Sequence, residues 1–92
     1  MILIALPYHL RTLAGIGAEL ELEVRNPVTL CTVIDAIEAE YPVLRGTIRD
    51  PATGKRRPFL RFFAGGRDLS HVSMNALLPS SVIKGEELLT IL

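Results

Sequence analysis

Ninety-two residues with a formal net charge of zero, 49% of them apolar and 22% charged, fit one soluble domain with a single modest core. No apolar run approaches the ~18 residues of a membrane span, and the amino terminus lacks the charged region and cleavage site of a signal peptide. A lone cysteine, Cys31, excludes an internal disulfide and points to a reducing compartment, so a cytoplasmic protein is expected.

The chain opens on MILIALP, an apolar run of strand length that Pro7 stops. Leu10, Leu13, Gly15 and Gly17 then read as a connecting loop that reverses the chain. Glu19 to Arg25, ELELEVR, alternates strictly. Leu20, Leu22 and Val24 share one side, and the charged residues share the other, which is a half-buried strand. The strongest helix signal follows between Pro27 and Pro42. Leu30, Val33, Ile34, Ile37 and Tyr41 recur at helical spacing and make one apolar stripe. Thr29 suits the N-cap, with Val28 placed to staple onto Val33; Asn26 with Pro27 is a rival start. Pro42 ends the helix.

Val43 to Pro58 scatters Gly, Pro, Asp and Thr among bases, and Asp50-Pro51-Ala52-Thr53-Gly54 carries turn chemistry. A basic loop or hairpin arm at about 44–58 is expected here, peripheral to the core. Phe59 to Ala64, FLRFFA, is the next strand, turned by Gly65-Gly66, and Arg67 to Ser70 suits a short edge strand. Pro79 to Gly85 reads as one helical turn closed by a glycine, and Glu87 to Leu92, ELLTIL, as a last apolar strand. Charge is segregated along this order. Glu19 to Glu40 holds six acids against Arg25, and Arg45 to Asp68 holds seven bases against Asp50 and Asp68, an asymmetry able to steer a charged partner.

Strands on both sides of one main helix predict an α+β two-layer fold. The first and last strands are too apolar for an edge, and placing them side by side at the centre makes them parallel. The expectation is a β-grasp, a mixed sheet of four to five strands with the helix across one face. Leu20, Leu22, Val24, Leu30, Val33, Ile34, Ile37, Leu60 and Phe62 are its expected core.

At this point the chain resembles the MoaD/ThiS family of small ubiquitin-like sulfur carriers. The likeness rests on the opening strand ending in Leu6-Pro7, on Val28-Thr29-Leu30 leading into a helix that ends in Tyr41-Pro42, and on Arg61-Phe62-Phe63 followed by Gly65-Gly66-Arg67-Asp68. Lys84-Gly85-Glu86-Glu87 before the last strand completes it. The resemblance implies a non-enzyme that serves molybdopterin- or thiamine-type pathways. Its partners would be an adenylating, E1-like enzyme and a sulfur acceptor. In the family a flexible Gly-Gly end is adenylated with ATP and converted to a thiocarboxylate, because only an end without Cβ atoms threads the enzyme's narrow site. This sequence ends Thr90-Ile91-Leu92 and, as it stands, is not expected to be adenylated.

Other chemistry finds little support. Cys31 stands beside the helix start, where a thiol pKa can fall, but no His or second Cys is near it in sequence, and a packing role is expected. His9 and His71 have no metal-ligand spacing. Gly65-Gly66 lacks the Lys-Ser/Thr pair and following helix of a phosphate loop. No catalytic residue, metal or cofactor is therefore expected. The basic arm with Phe59, Phe62 and Phe63 raises RNA binding, against which the neutral overall charge and the core positions of some rings argue. The better signal is a face of the sheet. With Leu60, Phe62 and Ala64 turned to the helix, Phe59, Arg61 and Phe63 turn away. With Leu89 and Ile91 inward, Leu88, Thr90 and Leu92 turn outward. These six form the expected partner-binding surface, an apolar patch with a basic centre; a loop or a second copy of the chain is the rival occupant.

Overall fold

A computed structural model describes residues 1–92. Five strands, β1 (Ile2–Ala5), β2 (Leu20–Leu22), β3 (Phe62–Ala64), β4 (Arg67–Asp68) and β5 (Leu89–Ile91), form one sheet in the order β2-β1-β5-β3-β4. β1 and β5 are parallel at its centre, with Ile4 opposite Leu89 and Ala5 opposite Thr90. The other pairs are antiparallel. Side chains alternate across a strand. Ile2, Ile4, Leu20, Leu22, Phe62, Ala64, Leu89 and Ile91 are accordingly buried on one side, where the main helix supplies the rest of the core.

That helix, α2 (Leu30–Glu40), starts where Thr29 caps it. The Thr29 hydroxyl accepts from the Thr32 N–H at 3.1 Å, and the Thr32 hydroxyl accepts from the Thr29 N–H at 2.9 Å. This reciprocal capping satisfies two donors that a helix start otherwise leaves orphaned, and it decides against the rival start at Asn26. Leu30, Val33, Ile34 and Ile37 are fully enclosed; at about 1.5–3 kcal/mol each, their burial contributes roughly 6–12 kcal/mol. Of the expected core only Val24 stays half-exposed, packed against its margin. The result is the β-grasp.

Three expectations need correction. The stretch read as a loop after β1 contains a helix, α1 (Tyr8–Ala14). Pro7 holds its N-cap position, with its carbonyl accepting from the Leu10 and Arg11 N–H groups at 3.0 Å. Gly15 closes it in the left-handed region at φ 69, which costs a glycine little. Leu10 is the one buried residue of α1, so no apolar stripe betrays it in the sequence. Second, the strands are shorter than their apolar runs; the chain leaves the ladder after Leu22 and joins it only at Phe62. One further pair extends β3 against β5, where Arg61 and Leu92 exchange both backbone hydrogen bonds at 2.9 Å.

Third, the basic arm is not peripheral. Pro42 begins a 3-10 turn (Pro42–Leu44) that packs against α1 and α2, and Leu44 and Ile48 are both fully buried. Beyond them the chain does form the expected hairpin. Asp50 and Lys55 pair through Asp50 N–H to Lys55 O at 2.7 Å, and Arg49 bridges Arg56. Two apolar residues among breakers look like a solvated loop in sequence, yet four positions apart they reach the same core. The remaining helix, α3 (Ser80–Ile83), buries Val82 just before β5.

Ile34→Ala and Ile48→Ala should each cost about 2–5 kcal/mol as core truncations. Phe59→Ala, at a ring 96% exposed, should change stability by less than about 0.5 kcal/mol. Chemical denaturation of the three variants checks this; an Ile48→Ala loss as small as that of Phe59→Ala would mean that the arm packs on nothing.

Candidate docking surface

A sheet covered by helices on one side leaves its other side open, and strand parity says what stands there. Reading the register across, Leu3 of β1 lies next to Leu88, ahead of β5, with Glu21 of β2 on the far side of Leu3. The next row runs Ala5, Thr90, Phe63 and Asp68. The last joins Leu92 to Arg61. Leu3, Ala5, Phe63, Leu88 and Thr90 are half-buried, while Arg61, Asp68 and Leu92 are exposed. Leu and Phe in the middle rows of an open sheet face are unusual for a surface that must meet only water.

Five of the six expected patch residues are therefore brought together: Arg61 beside Leu92, Phe63 beside Thr90, and Leu88 one row on. Phe59 is not in the ladder. It precedes β3 in a turn and stands almost free of the protein. Leu3, Ala5 and Asp68 were absent from the expectation. In MILIA every position is apolar, so the run shows a strand without showing which residues face out. Asp68 lies 3.6 Å from the Arg61 guanidinium, so the basic centre of the patch is half neutralised by its neighbour across the β3–β4 pair. The Ser70 hydroxyl and N–H, then Arg61 and His71, hold the Asp68 carboxyl below its ordinary range.

Three of the arm's five basic side chains, Arg49, Arg56 and Arg57, bond to other groups of the protein, while Arg45 and Lys55 are exposed. Arg49 reaches down to α2, where its guanidinium donates to Glu38 at 2.9 Å and to Asp35, and it stands 3.6 Å from the Cys31 thiol. Desolvation works against the charged guanidinium there, but the hydrogen bonds and charges of Asp35 and Glu38 outweigh it and raise its pKa above the ordinary value. Arg57 donates to the Gly46 carbonyl at 2.9 Å, and Arg56 to the carbonyls of Arg57, Pro58 and Leu60. Phe62 is buried. A stack of aromatics among free guanidiniums, which RNA would use, is not assembled. An open groove beside α2, lined by Glu23, Arg25, Thr32, Asp35, Ala36 and Ala39, mixes both signs of charge over two small side chains. Cys31 is half-buried and unpaired.

The fold and the open sheet face together define a ubiquitin-like protein of the β-grasp class. No protein-family model matches the chain, and no curated protein sequence matches it. Solved structures do. A chain of the Amycolatopsis orientalis BexX/CysO complex superposes with a TM-score of 0.77 at 19% identity, over 100% of this chain and 93% of that one. CysO of Mycobacterium tuberculosis gives 0.77 at 22%, over 100% and 97%. SAMP1 from Haloferax volcanii gives 0.73 at 14%, over 98% and 90%. At such identities the likeness is one of fold.

Two outcomes check the electrostatics. The Asp68 carboxyl should titrate with a midpoint below 3.8, and Ser70→Ala should move it up towards that value. A depressed folded-state pKa stabilises above the unfolded value and is lost as pH falls through the folded one, so Asp68→Asn should flatten the acid limb of the stability profile. Carbon-detected NMR and acid denaturation read these. Arg49→Met should cost about 1–3 kcal/mol, because Glu38 is then left enclosed without its cation. Arg49→Met combined with Glu38→Gln should recover part of that loss; a double loss equal to the sum of the two single losses would show the pair to be uncoupled.

Proposed function

We propose that this chain is a ubiquitin-like carrier of the sulfur-transfer kind. It performs no catalysis and is a substrate, docked on an adenylating enzyme through the outer face of its sheet. The observation that carries this reading is the position of Arg61. It sits in the open face, beside Phe63, and its backbone pairs with Leu92. Whatever follows Leu92 would thus leave the sheet next to the docking surface, which is where an enzyme holding that surface could receive it. Two further observations support the reading. The sequence resembles the MoaD/ThiS carriers along most of its length. Its fold is that of CysO, which was solved together with BexX, and of a protein named small archaeal modifier protein 1.

On this reading the 92 residues act as one domain, with the 44–58 hairpin built into it, and work in the cytoplasm. The patch residues Arg61, Phe63, Leu88, Thr90 and Leu92 hold the enzyme, and Phe59 reaches it from the adjoining turn. The chemistry belongs to the partner and to a glycine end. A terminal carboxylate attacks the α-phosphate of ATP and expels pyrophosphate; a persulfide sulfur then displaces AMP, and a reductant cleaves the mixed disulfide to leave a thiocarboxylate. A sulfur acceptor of the molybdopterin or thiamine type would take that sulfur. The carrier itself needs no cofactor.

A second reading has one observation in its favour: the apolar face is complete without any reactive terminus. It makes the protein a ubiquitin-like interaction module. The two separate experimentally. The chain extended beyond Leu92 by a short flexible tail ending in Gly-Gly should support ATP–pyrophosphate exchange with its cognate adenylating enzyme. The chain ending at Leu92 should bind the enzyme without exchange. Arg61→Glu should weaken binding of both forms by about tenfold or more, since reversal of a partly desolvated charge costs more than a change at the rim. Binding indifferent to Arg61→Glu removes the surface assignment. A tailed form that docks but never exchanges leaves the module reading.

A further inference from the structure

The ring that stands furthest from the core is carried by a turn that is tied down on every side. Phe59 is 96% exposed, more than any other large apolar residue of the chain. It is the third residue of the turn Arg57-Pro58-Phe59-Leu60, which the Leu60 N–H closes onto the Arg57 carbonyl at 3.1 Å. Pro58, the second, has its φ fixed by its own ring. Ahead of the turn, the Arg57 N–H donates to the Ile48 carbonyl at 3.0 Å, and Arg57 Nε to the Gly46 carbonyl at 2.9 Å. Behind it, Leu60 is buried and Arg61 is paired with Leu92. Arg56 completes the fastening. Its Nη1 group lies within hydrogen-bond distance of the carbonyls of Arg57, Pro58 and Leu60, on both sides of Phe59, and its guanidinium makes no ion pair.

Turns are ordinarily completed by Asp, Asn, Ser or Gly, and nothing in the fold needs a ring at this position. A lone apolar residue on a mobile loop calls for no explanation. An ordered one is different, because the cost of fixing its backbone, which binding would otherwise bear, is already met within the fold. A residue that breaks the local rule and is still held in place marks a functional position. We propose that Phe59 is an anchor that enters an apolar socket, sized for one aromatic ring, on the protein that covers the outer sheet face, and that Arg56 is the positioning residue that keeps the turn in the shape presenting it. Continuity fixes the occupant. Phe59 is separated by no more than about 7 Å of chain from Arg61, which stands in the docking surface and pairs with Leu92. A body seated beside Arg61 and Leu92 therefore meets the ring as part of one contact, and burying an aromatic side chain adds roughly 150–250 Å² to it. Taking that body to be the adenylating enzyme rests on the proposed function.

The order of the turn is tested without any partner. In the wild-type chain the Leu60 amide should be protected from hydrogen exchange, and the Phe59 amide should show the nitrogen relaxation of ordered backbone. Arg56→Met should loosen both, and Arg56→Lys should loosen them less. A wild-type Phe59 amide with the relaxation of freely moving backbone overturns the inference. Binding of the full chain to its cognate adenylating enzyme is then titrated. Phe59→Ala should weaken it about thirtyfold with the thermal transition unmoved, and Phe59→Leu, which keeps an apolar side chain, only about threefold. Arg56→Met should weaken binding about tenfold in the wild-type background and not at all alongside Phe59→Ala, a coupling that a merely structural arginine would not show. Equal binding of wild type and Phe59→Ala overturns the anchor, and equal losses from Arg56→Met in the two backgrounds overturn its positioning role. Binding lost in Arg61→Glu but kept in Phe59→Ala strikes the anchor and leaves the carrier reading in place. A wild-type chain that never binds the enzyme removes the carrier reading and the anchor with it. Self-association of the free chain that Phe59→Ala abolishes assigns the ring to a second copy and overturns the enzyme as its occupant.

Discussion

The structure depends on one long-range constraint, the parallel pairing of β1 with β5. Ile4 stands opposite Leu89, so residues from the two ends of the chain sit side by side at the centre of the sheet. Closing so large a loop costs entropy that only non-local contacts return. α2 supplies them, because its stripe is buried against the inner face of strands from both ends. The parallel pair also fixes everything on the other side. Once Ile2, Ile4, Leu89 and Ile91 are inward, Leu3, Ala5, Leu88 and Thr90 have no choice but to face out, and a run chosen for the centre of a sheet leaves apolar residues on an uncovered face. The candidate docking surface is thus a by-product of topology. It also imposes a cost that a purely structural protein would remove with polar residues at Leu3, Ala5 and Leu88.

How much of this the sequence showed depends on how many residues each signal used. The α2 stripe and its start were legible because five periodic residues and one capping residue, Thr29, agree; the reciprocal part of Thr32 shows only in the structure. The inward parity of Leu60, Phe62 and Ala64 was legible from the contrast with Arg61. α1 was not, since a helix with one buried residue has no period to detect, and its two ends are set by Pro7 and Gly15, which serve a loop equally well. Leu44 and Ile48 were hidden by their surroundings. Burial there is decided by the 3-10 turn that Pro42 begins, a tertiary event with no local pattern. On the docking face, Arg61, Phe63 and Thr90 followed from parity. Leu3 and Ala5 did not, because an all-apolar strand carries no information about which side is wet.

Charge segregation along the chain proved a poor guide to charge on the surface. The seven bases between Arg45 and Asp68 suggest one positive patch, yet Arg49, Arg56 and Arg57 turn inward to carboxylates and carbonyls. Arg49 joins the arm to α2 across the two oppositely charged segments, so part of the −5 and +5 asymmetry is a single intramolecular clasp. Guanidinium suits this role because its fixed fork serves two carboxylates at once. Charges remain exposed along the edges of the sheet, and also on α2 (Asp35, Glu40), on the arm (Arg45, Lys55) and after α3 (Lys84, Glu86).

That placement bears on how the molecule meets others. Open sheet edges invite strand addition, and charged residues blunt them. Here β2 presents Glu19 and Glu21, while β4 is two residues long and ends in the Asp68 turn, where the Ser70 N–H is already taken. β4 carries one charge of each sign, Arg67 and Asp68, and is too short to template a strand from another chain. Edge-to-edge growth into filaments is thereby suppressed, and the same charges remain available to contacts made across the face. A partner reading this protein is left with the broad side of the sheet, where an apolar strip supplies the contact area and Arg61 with Asp68 stands at one side of it.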